Sequence, residues 1–295
     1  MTDGGSAPAA GAGFAAAKIN LALHVTGRRA DGYHELDSLV VFAEIGDSLA
    51  LVDEAPTALA IDGPFASGLD DGSGNLVLRA RDAVAAFAGP LPPLGFRLTK
   101  RLPVASGLGG GSADAAAALR LLAGRLAIPL DDPRLTAAAQ RLGADVPMCL
   151  FSRSLHASGI GERIALWPEA PRLAMVLANP GVGVATPAVF RRLARRDGSP
   201  LPTLPPRPTA DRLAAFLRAE TRNDLEAPAI EEAPVIAEAL QRVGAAEGCR
   251  LARMSGSGAT VFGIFPDNDA ADRAAQQIAT ERPDWWVVAT QAGGG

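Results

Sequence analysis

Lysine is nearly absent from this chain of 295 residues: Lys18 and Lys100 stand against 26 arginines. Tyr33 is its single tyrosine, its cysteines are Cys149 and Cys249, and its histidines are His24, His34 and His156. Two cysteines in unrelated contexts give no disulfide framework, and the histidines stand at no metal-ligand spacing, so neither a cross-linked scaffold nor a zinc site is read. No apolar run reaches bilayer-spanning length, and the Ala/Gly-rich stretch before Lys18 lacks the charged start of a secretory leader. A cytoplasmic protein is expected. With 28 basic against 32 acidic residues the net charge is -4, so no global positive field is available for a nucleic-acid backbone. An anionic ligand has to be gripped by a local cluster. Neither nucleic acid, membrane nor an obligate protein partner is expected.

What is present is ordinary globular material, 48% hydrophobic and 20% charged, long enough for one large domain or two modest ones. A chain that writes arginine almost everywhere has two places where it uses the compact ammonium that a planar guanidinium does not imitate. Chance is the bland alternative for each.

Residues 14 to 25, FAAAKINLALHV, alternate as a strand. Ala17, Ile19, Leu21, Leu23 and Val25 share one face, and Lys18, Asn20 and His24 the other. A turn follows at 27–32, then a second strand at Leu39 to Phe42. Residues 95 to 105 read as a strand that runs into Ser106-Gly107-Leu108-Gly109-Gly110-Gly111-Ser112. A helix capped by Ser112 is expected next, with Ala115, Ala118, Leu119, Leu122 and Leu126 as its apolar stripe. Asp132-Pro133 opens another helix, with Leu135, Ala138, Ala139 and Leu142 inward and Gly143 as its stop. Asp145 follows in a loop where Pro147 is expected to keep Val146 extended. From residue 172 the order becomes strand, helix (228–243), strand, strand, helix (269–280), strand. That is the ferredoxin-like split βαββαβ unit, with an insertion that holds five prolines at 199–208, read as an extended surface loop. The boundary between domains is placed near residue 170, giving 1–170 and 171–295.

Three boxes can carry chemistry. Four glycines between a strand and a helix let backbone pass close to a bound group, and the N–H groups at the helix start point outward as anion donors. The box is not a Walker A loop, since no Lys-Ser/Thr follows the last glycine, and Ser112 stands where a dinucleotide fingerprint wants Gly or Ala. A tight turn needs fewer glycines, so a phosphate cradle is the reading. Ser112 serves there as cap, phosphate donor or magnesium ligand, three roles the sequence leaves open. Asp145 alone is an ordinary loop aspartate, and Lys18 alone a snorkelling lysine at a sheet edge. Together they make a minimal phosphotransfer site: a carboxylate to accept a hydroxyl proton and an ammonium facing the transferring phosphoryl group. They are expected to face one another at the mouth of the glycine bend. Asp31-Gly32-Tyr33-His34 makes a turn, or offers a ring and a hydrogen-bonding edge to a heterocyclic base. The segment Met254-Ser255-Gly256-Ser257-Gly258-Ala259-Thr260 is longer than a hairpin needs, and reads equally as a second phosphate-facing loop or a flexible connection.

AAAKINLALHVTGRRADGYHEL, KRLPVASGLGGGSADAA, LGADVPMCL and MSGSGATVFGIF, in this order, resemble the GHMP small-molecule kinase superfamily. Within it, K-I-N-L followed by G-Y-H is similar to the branch acting on a cytidine-diphosphate derivative of methylerythritol in the non-mevalonate isoprenoid pathway. The resemblance implies an α+β, two-domain fold: an N-terminal ribosomal-protein-S5-like ATP-binding domain and a C-terminal ferredoxin-like domain. It implies ATP and magnesium as cofactors, a small-molecule cytidylyl substrate, and transfer of the γ-phosphate to the 2-hydroxyl. Lys18 and Asp145 match the catalytic pair. Pro103, Val104, Ala105, Ser106, Gly107, Leu108, Gly109, Gly110, Gly111, Ser112 and Ala113 match the ATP loop, and Asn75 a position near the adenine. Tyr33, His34 and Phe190 match the cytosine pocket, with Phe190 closing the opposite face of the base. Asn20, Lys100 and Thr186 match further substrate or nucleotide contacts. Val40 stands where a larger pocket side chain is common, and Val104-Ala105-Ser106 opens the loop with less glycine than some relatives. Another GHMP kinase, such as a homoserine or sugar kinase, lacks a use for the Gly-Tyr-His box. A non-catalytic nucleotide sensor has no need of Asp145, and an NAD oxidoreductase fails on the fingerprint.

Overall fold

The structure, a computed structural model, describes residues 12–55, 57–194 and 197–294. Among the described residues, two compact units interleave along the chain: 12–15, Gly46–Arg101 and Gly111–Leu150 form the first, and Ala16–Ile45, Leu102–Gly110 and those after Leu150 the second. Strands β1 (Ala12–Arg28) and β2 (His34–Asp53) pair with each other, and each contributes residues to both units. Division by compactness and a single cut near residue 170 are therefore different partitions.

In the first unit, residues 48–53 of β2 pair antiparallel with β4 (Leu94–Thr99), which also pairs parallel with β3 (Leu59–Asp62). Parallel neighbours need a crossover, and α1 (Leu76–Ala88) supplies it. The strand expected to reach residue 105 ends at Thr99. There Lys100 turns its side chain inward to two carboxylates, and Pro103 has no N–H for a ladder. Helix α2 (Gly110–Arg125) begins three residues earlier than expected, so Ser112 lies within its first turn instead of capping it. Gly109, at φ +66°, turns the chain into the helix at once, a conformation glycine adopts without strain. Helix α3 (Pro133–Leu142) follows the sequence pattern: Asp132 accepts the Arg134 N–H as cap, and Leu135, Ala138, Ala139 and Leu142 are buried. The loop expected after it is instead α4 (Val146–Phe151). Val146 is helical despite preceding a proline, because Pro147 falls in the first turn, where no backbone donor is required.

In the second unit, β5 (Leu155–Gly159) lies between β6 (Arg163–Leu166) and residues 36–40 of β2. Four antiparallel strands run β10 (Trp286–Gly293), β7 (Arg172–Asn179), β9 (Val261–Phe265), β8 (Leu251–Met254), and β10 also pairs with β2 at Ala43. This is the spatial order of the split βαββαβ unit. The helix expected at 228–243 is two, α7 (Glu226–Glu232) and α8 (Val235–Ala245), interrupted at Pro234, which has no N–H to continue the ladder. Helix α9 (Asn268–Glu281) is capped by Asp267. The insertion after β7 holds α5 (Thr186–Arg191) and α6 (Ala210–Glu220), and its proline-rich segment 199–208 carries neither helix nor strand.

Alternation along β7 builds two cores. Leu173, Met175 and Leu177 join Ile19, Leu21, Leu102, Leu108 and Leu217 in one cluster. Val176 and Ala178 join Ile236, Val243 and Ile278 in the other. Leu102 and Leu108 thus anchor the two ends of the segment that leads to the glycine box. Each fully buried leucine is worth about 1.5–3 kcal/mol. Among the described residues, no helix is long and apolar enough to cross a membrane.

Candidate active site

Between those leucine anchors the backbone takes left-handed conformations at Ala105 and Gly107, and it does so again at Gly109 just past Leu108. Thr260 N–H donates to Ser106 O (3.0 Å), the Ser255 hydroxyl to Gly107 O (3.0 Å), and Lys18 N–H to Leu108 O (2.9 Å). The bend is fixed on one side by β1 and on the other by the segment between β8 and β9. A Cβ at Gly107 would come 2.3 Å from Ser255 O, so only glycine permits this approach of the two glycine-rich segments. The second segment is accordingly not a flexible connection. Its residues Ser255 to Thr260 are buried, and the Asn223 amide donates to Met254 O and Gly256 O, each at 2.8 Å.

Lys18 lies against this bend. A Cβ on Gly109 would sit 3.0 Å from Lys18 Cε. The ammonium donates to Asn20 Oδ1 (2.8 Å), the Asn20 amide to the Ser38 hydroxyl (2.8 Å), and that hydroxyl to Ala22 O (2.8 Å). Lys18 and Asn20 are buried, so the polar face read from the sequence is an internal hydrogen-bonded row, not a solvated sheet edge. Ser38 and Ser255 complete it. Ser255 stands in the glycine-rich segment that the sequence flags, whereas no sequence signal marks Ser38.

The opening turn of α2 is Gly110, Gly111, Ser112 and Ala113, with no acidic side chain among them. The first N–H groups of any helix lack intrahelical acceptors, and here they sit at the positive end of a 16-residue dipole. Just beyond, the Lys100 ammonium donates to Asp47 (2.5 Å) and Asp114 (2.8 Å), all three side chains being buried. Lys100, expected to touch substrate or nucleotide, thus commits two of its three donors inside the unit. Burial opposes its charge, but Asp114 and Asp47 outweigh this and raise its pKa. Burial pushes the Asp114 carboxyl up to about 7 against the pull of Lys100. Sequence reading missed Asp47 and Asp114, although Asp114 follows the glycine box directly.

Asp145 stands at the start of α4, where its carbonyl accepts the Cys149 N–H (3.1 Å), the helix's opening bond. It belongs to the first unit and Lys18 to the second. Asn75 caps α1, accepting from Val77 N–H (2.9 Å) and donating to Asp70 O (2.7 Å). Of the base-pocket residues, His34 and Phe190 stack with ring centroids 4.9 Å apart, a direct contact instead of two walls of an open slot. Tyr33, next to His34 in sequence, is 60% exposed, on a turn closed by Asp31, which accepts the Tyr33 N–H. Thr186 shares a 2.8 Å hydrogen bond with Ser257.

The family models described as GHMP kinases N terminal domain and GHMP kinases C terminal match residues 75–153 and 206–284, together more than half of the chain. The chain belongs to the GHMP kinases. The first match contains the glycine box and Asp145, while Lys18, Tyr33 and His34 precede it. This GHMP kinase is 55% identical over 279 residues to 4-diphosphocytidyl-2-C-methyl-D-erythritol kinase of Cereibacter sphaeroides, covering 93% of this chain and 96% of that one. The protein of the same name from Rhizobium johnstonii is 54% identical, with 94% and 91% covered. Among solved structures, 4-(cytidine 5'-diphospho)-2C-methyl-D-erythritol kinase superposes with a TM-score of 0.79 at 36% identity, over 96% of this chain and all of that one. Homoserine kinase from Cytophaga hutchinsonii matches with a TM-score of 0.64 at 15% identity, over 98% and 96%, a likeness of fold alone. The α+β architecture of two GHMP kinase domains is thus established.

Proposed function

We propose that this GHMP kinase transfers the γ-phosphate of ATP to the 2-hydroxyl of 4-diphosphocytidyl-2-C-methyl-D-erythritol, in the non-mevalonate route to isoprenoid precursors. The observation that carries the assignment is 55% identity across nearly the whole length of a relative bearing that name. The division of labour places nucleotide binding and catalysis in residues 1–170 and substrate recognition in 171–295, in the cytoplasm.

Phosphoryl transfer is mainly positioning and charge stabilisation. The N–H groups opening α2 and the bend from Pro103 to Ala113 cradle the triphosphate, and Asn75 borders the adenine. The donor set also fits a magnesium ion that arrives with the nucleotide: Ser112 offers a hydroxyl, and phosphates and water supply the oxygens such a hard cation prefers. When bound, magnesium neutralises phosphate charge. Lys18, held by Asn20 over Gly109, stabilises the negative charge around the attacked phosphorus. Asp145 orients the 2-hydroxyl and takes its proton as the new oxygen–phosphorus bond forms, the bond from Pγ to the β-phosphate oxygen breaks, and ADP leaves. Tyr33 stacks on the cytosine and the stacked pair of His34 and Phe190 borders it, while Asn20 and Thr186 add polar contacts to the substrate.

A coupled assay of ADP release tests this reading, run with the cytidylyl methylerythritol substrate and, separately, with homoserine, mevalonate and galactose. ADP release that depends on the cytidylyl alcohol is expected. Equal or faster turnover of another alcohol overturns the substrate assignment.

A further inference from the structure

Arg120, in the middle of α2, has no part in the site described so far. Its guanidinium donates to three backbone carbonyls: Cys149 O at 2.6 Å, Leu150 O at 3.4 Å and Phe14 O at 2.7 Å. Arg120 is half-buried, burial lowers its pKa, and a partly desolvated charge persists where its hydrogen bonds are made. Those bonds go to two informative places. Cys149 and Leu150 close α4, whose six residues are too few for a helix to hold itself together in water. Their carbonyls are the acceptors that a helix C-terminus leaves unsatisfied, and a cation there also meets the negative end of the dipole. At the other end of the same helix stands Asp145, joined to Cys149 by the opening helical bond. Cys149 is thus a relay: its N–H donates to the Asp145 backbone carbonyl and its own C=O accepts from Arg120. Phe14, the third acceptor, stands on β1, the strand that carries Lys18 four residues later.

We infer that Arg120 is a positioning residue for phosphoryl transfer: by clamping the end of α4 to α2 and β1, it fixes where Asp145 presents its carboxylate. This rests on the reading of Asp145 as the base. An angstrom of displacement at a reacting group is worth about 10²-fold in rate, so a clamp on so short a helix acts on turnover, while the contacts that bind ATP and the cytidylyl alcohol stay in place.

The test is steady-state kinetics of full-length R120M, R120K, D145N and R120M/D145N with magnesium ATP and the cytidylyl methylerythritol substrate, alongside far-UV circular dichroism. R120M is expected to lose about 10²-fold in kcat with both KM values within about twofold, the effect of misplacement without lost binding. R120K, which keeps the charge but not the planar fork, should recover part of that loss. In the D145N background R120M should cost nothing further, because two residues acting through one proton transfer are not additive. Wild-type kcat in folded R120M, or a full additional loss in the double variant, overturns the inference. If R120M unfolds at the assay temperature, R120K decides alone: a kcat loss at unchanged KM supports the clamp, and wild-type kcat overturns it. Near-normal turnover in D145N overturns the base assignment itself, whatever Arg120 does.

Discussion

Lys18 and Gly109 are complementary: the side chain of Lys18 crosses the one face of Gly109 where any other residue would carry its Cβ, which would sit 3.0 Å from Lys18 Cε. The backbones are tied as well, by the bond from Lys18 N–H to Leu108 O. The strand and the glycine bend therefore work as a single piece, and the ammonium reaches its place because residue 109 has no side chain.

Gly109→Ala tests this directly. An L-residue at φ +66° costs about 1–3 kcal/mol in backbone strain, and the methyl pushes on the Lys18 stem. Urea unfolding should show that loss of stability, and steady-state kinetics should show kcat falling at least tenfold, about 1.4 kcal/mol of barrier. An alanine variant with both unchanged would mean that the lysine does not need this path. Gly107→Ala should be worse for stability, since its methyl meets the Ser255 carbonyl, which is backbone.

The buried triad predicts a stability loss that depends on pH. In the folded protein Asp114 titrates at about 7 against an ordinary 3.8. A carboxyl raised in this way favours folding below its unfolded pKa, and that contribution is lost as pH rises through 7. Lys100→Met removes the cation between Asp47 and Asp114 and should cost about 3–5 kcal/mol at pH 8, the scale for orphaning a buried charge. The loss should shrink at pH 5, where Asp114 is protonated. Denaturant unfolding of wild type and variant at both values checks this, and a small, pH-independent difference would contradict it. Asp114→Asn should flatten the slope of wild-type stability between these values.

Asp37 and His156 form a close hydrogen-bonded ion pair. That bond to Asp37 raises the His156 pKa above 6.5. For Asp37, burial works against the charged form but is outweighed by His156 and the Leu201 N–H, leaving its pKa below 3.8. The histidine's contribution is complete below 6.5 and fades as pH rises through its folded pKa. The aspartate's is complete above 3.8 and fades as pH falls. The gap in melting temperature between wild type and His156→Gln should therefore be widest between about pH 4 and 6.5, and it should be modest, because the imidazole is partly solvated. A gap that widens above pH 8 would be inconsistent with this pairing.

Tyr33→Ala should weaken binding of the cytidylyl substrate by about 1–3 kcal/mol, the scale of base stacking on an aromatic ring, and leave ATP affinity alone. Isothermal titration with each ligand separates the two. Equal affinities for the cytidylyl substrate in both proteins remove the stacking role.

Much of this was legible in the sequence because it is written in local chemistry. The apolar repeat of α3, its Asp132 cap and the βαββαβ order each follow from spacing within one segment. The failures have a common cause, in that a neighbour in space overrode a local preference. Thr99 ends β4 early because Lys100 turns inward to Asp47, which lies on another strand, and to Asp114, which lies on a helix. Ser112 reads as a cap by residue type, yet Gly109 can turn the chain into the helix sooner. Val146 reads as extended before proline, but the first helical turn tolerates Pro147. Asp145, Lys18 and the four glycines were visible as residue types suited to phosphate chemistry, whereas Asn223, Ser38 and Arg120 act through backbone groups that no side-chain motif reports.

The most direct measurement is single-turnover phosphoryl transfer from ATP to the cytidylyl methylerythritol substrate by wild type and Asp145→Asn, with equilibrium binding of both ligands measured on the same samples. The expected result is that Asp145→Asn binds both ligands with affinities near wild type and transfers phosphate about 10² to 10⁴ times more slowly, the usual worth of a positioned base. Transfer at a near-normal rate in that variant would contradict the assignment of Asp145 as the group that takes the hydroxyl proton.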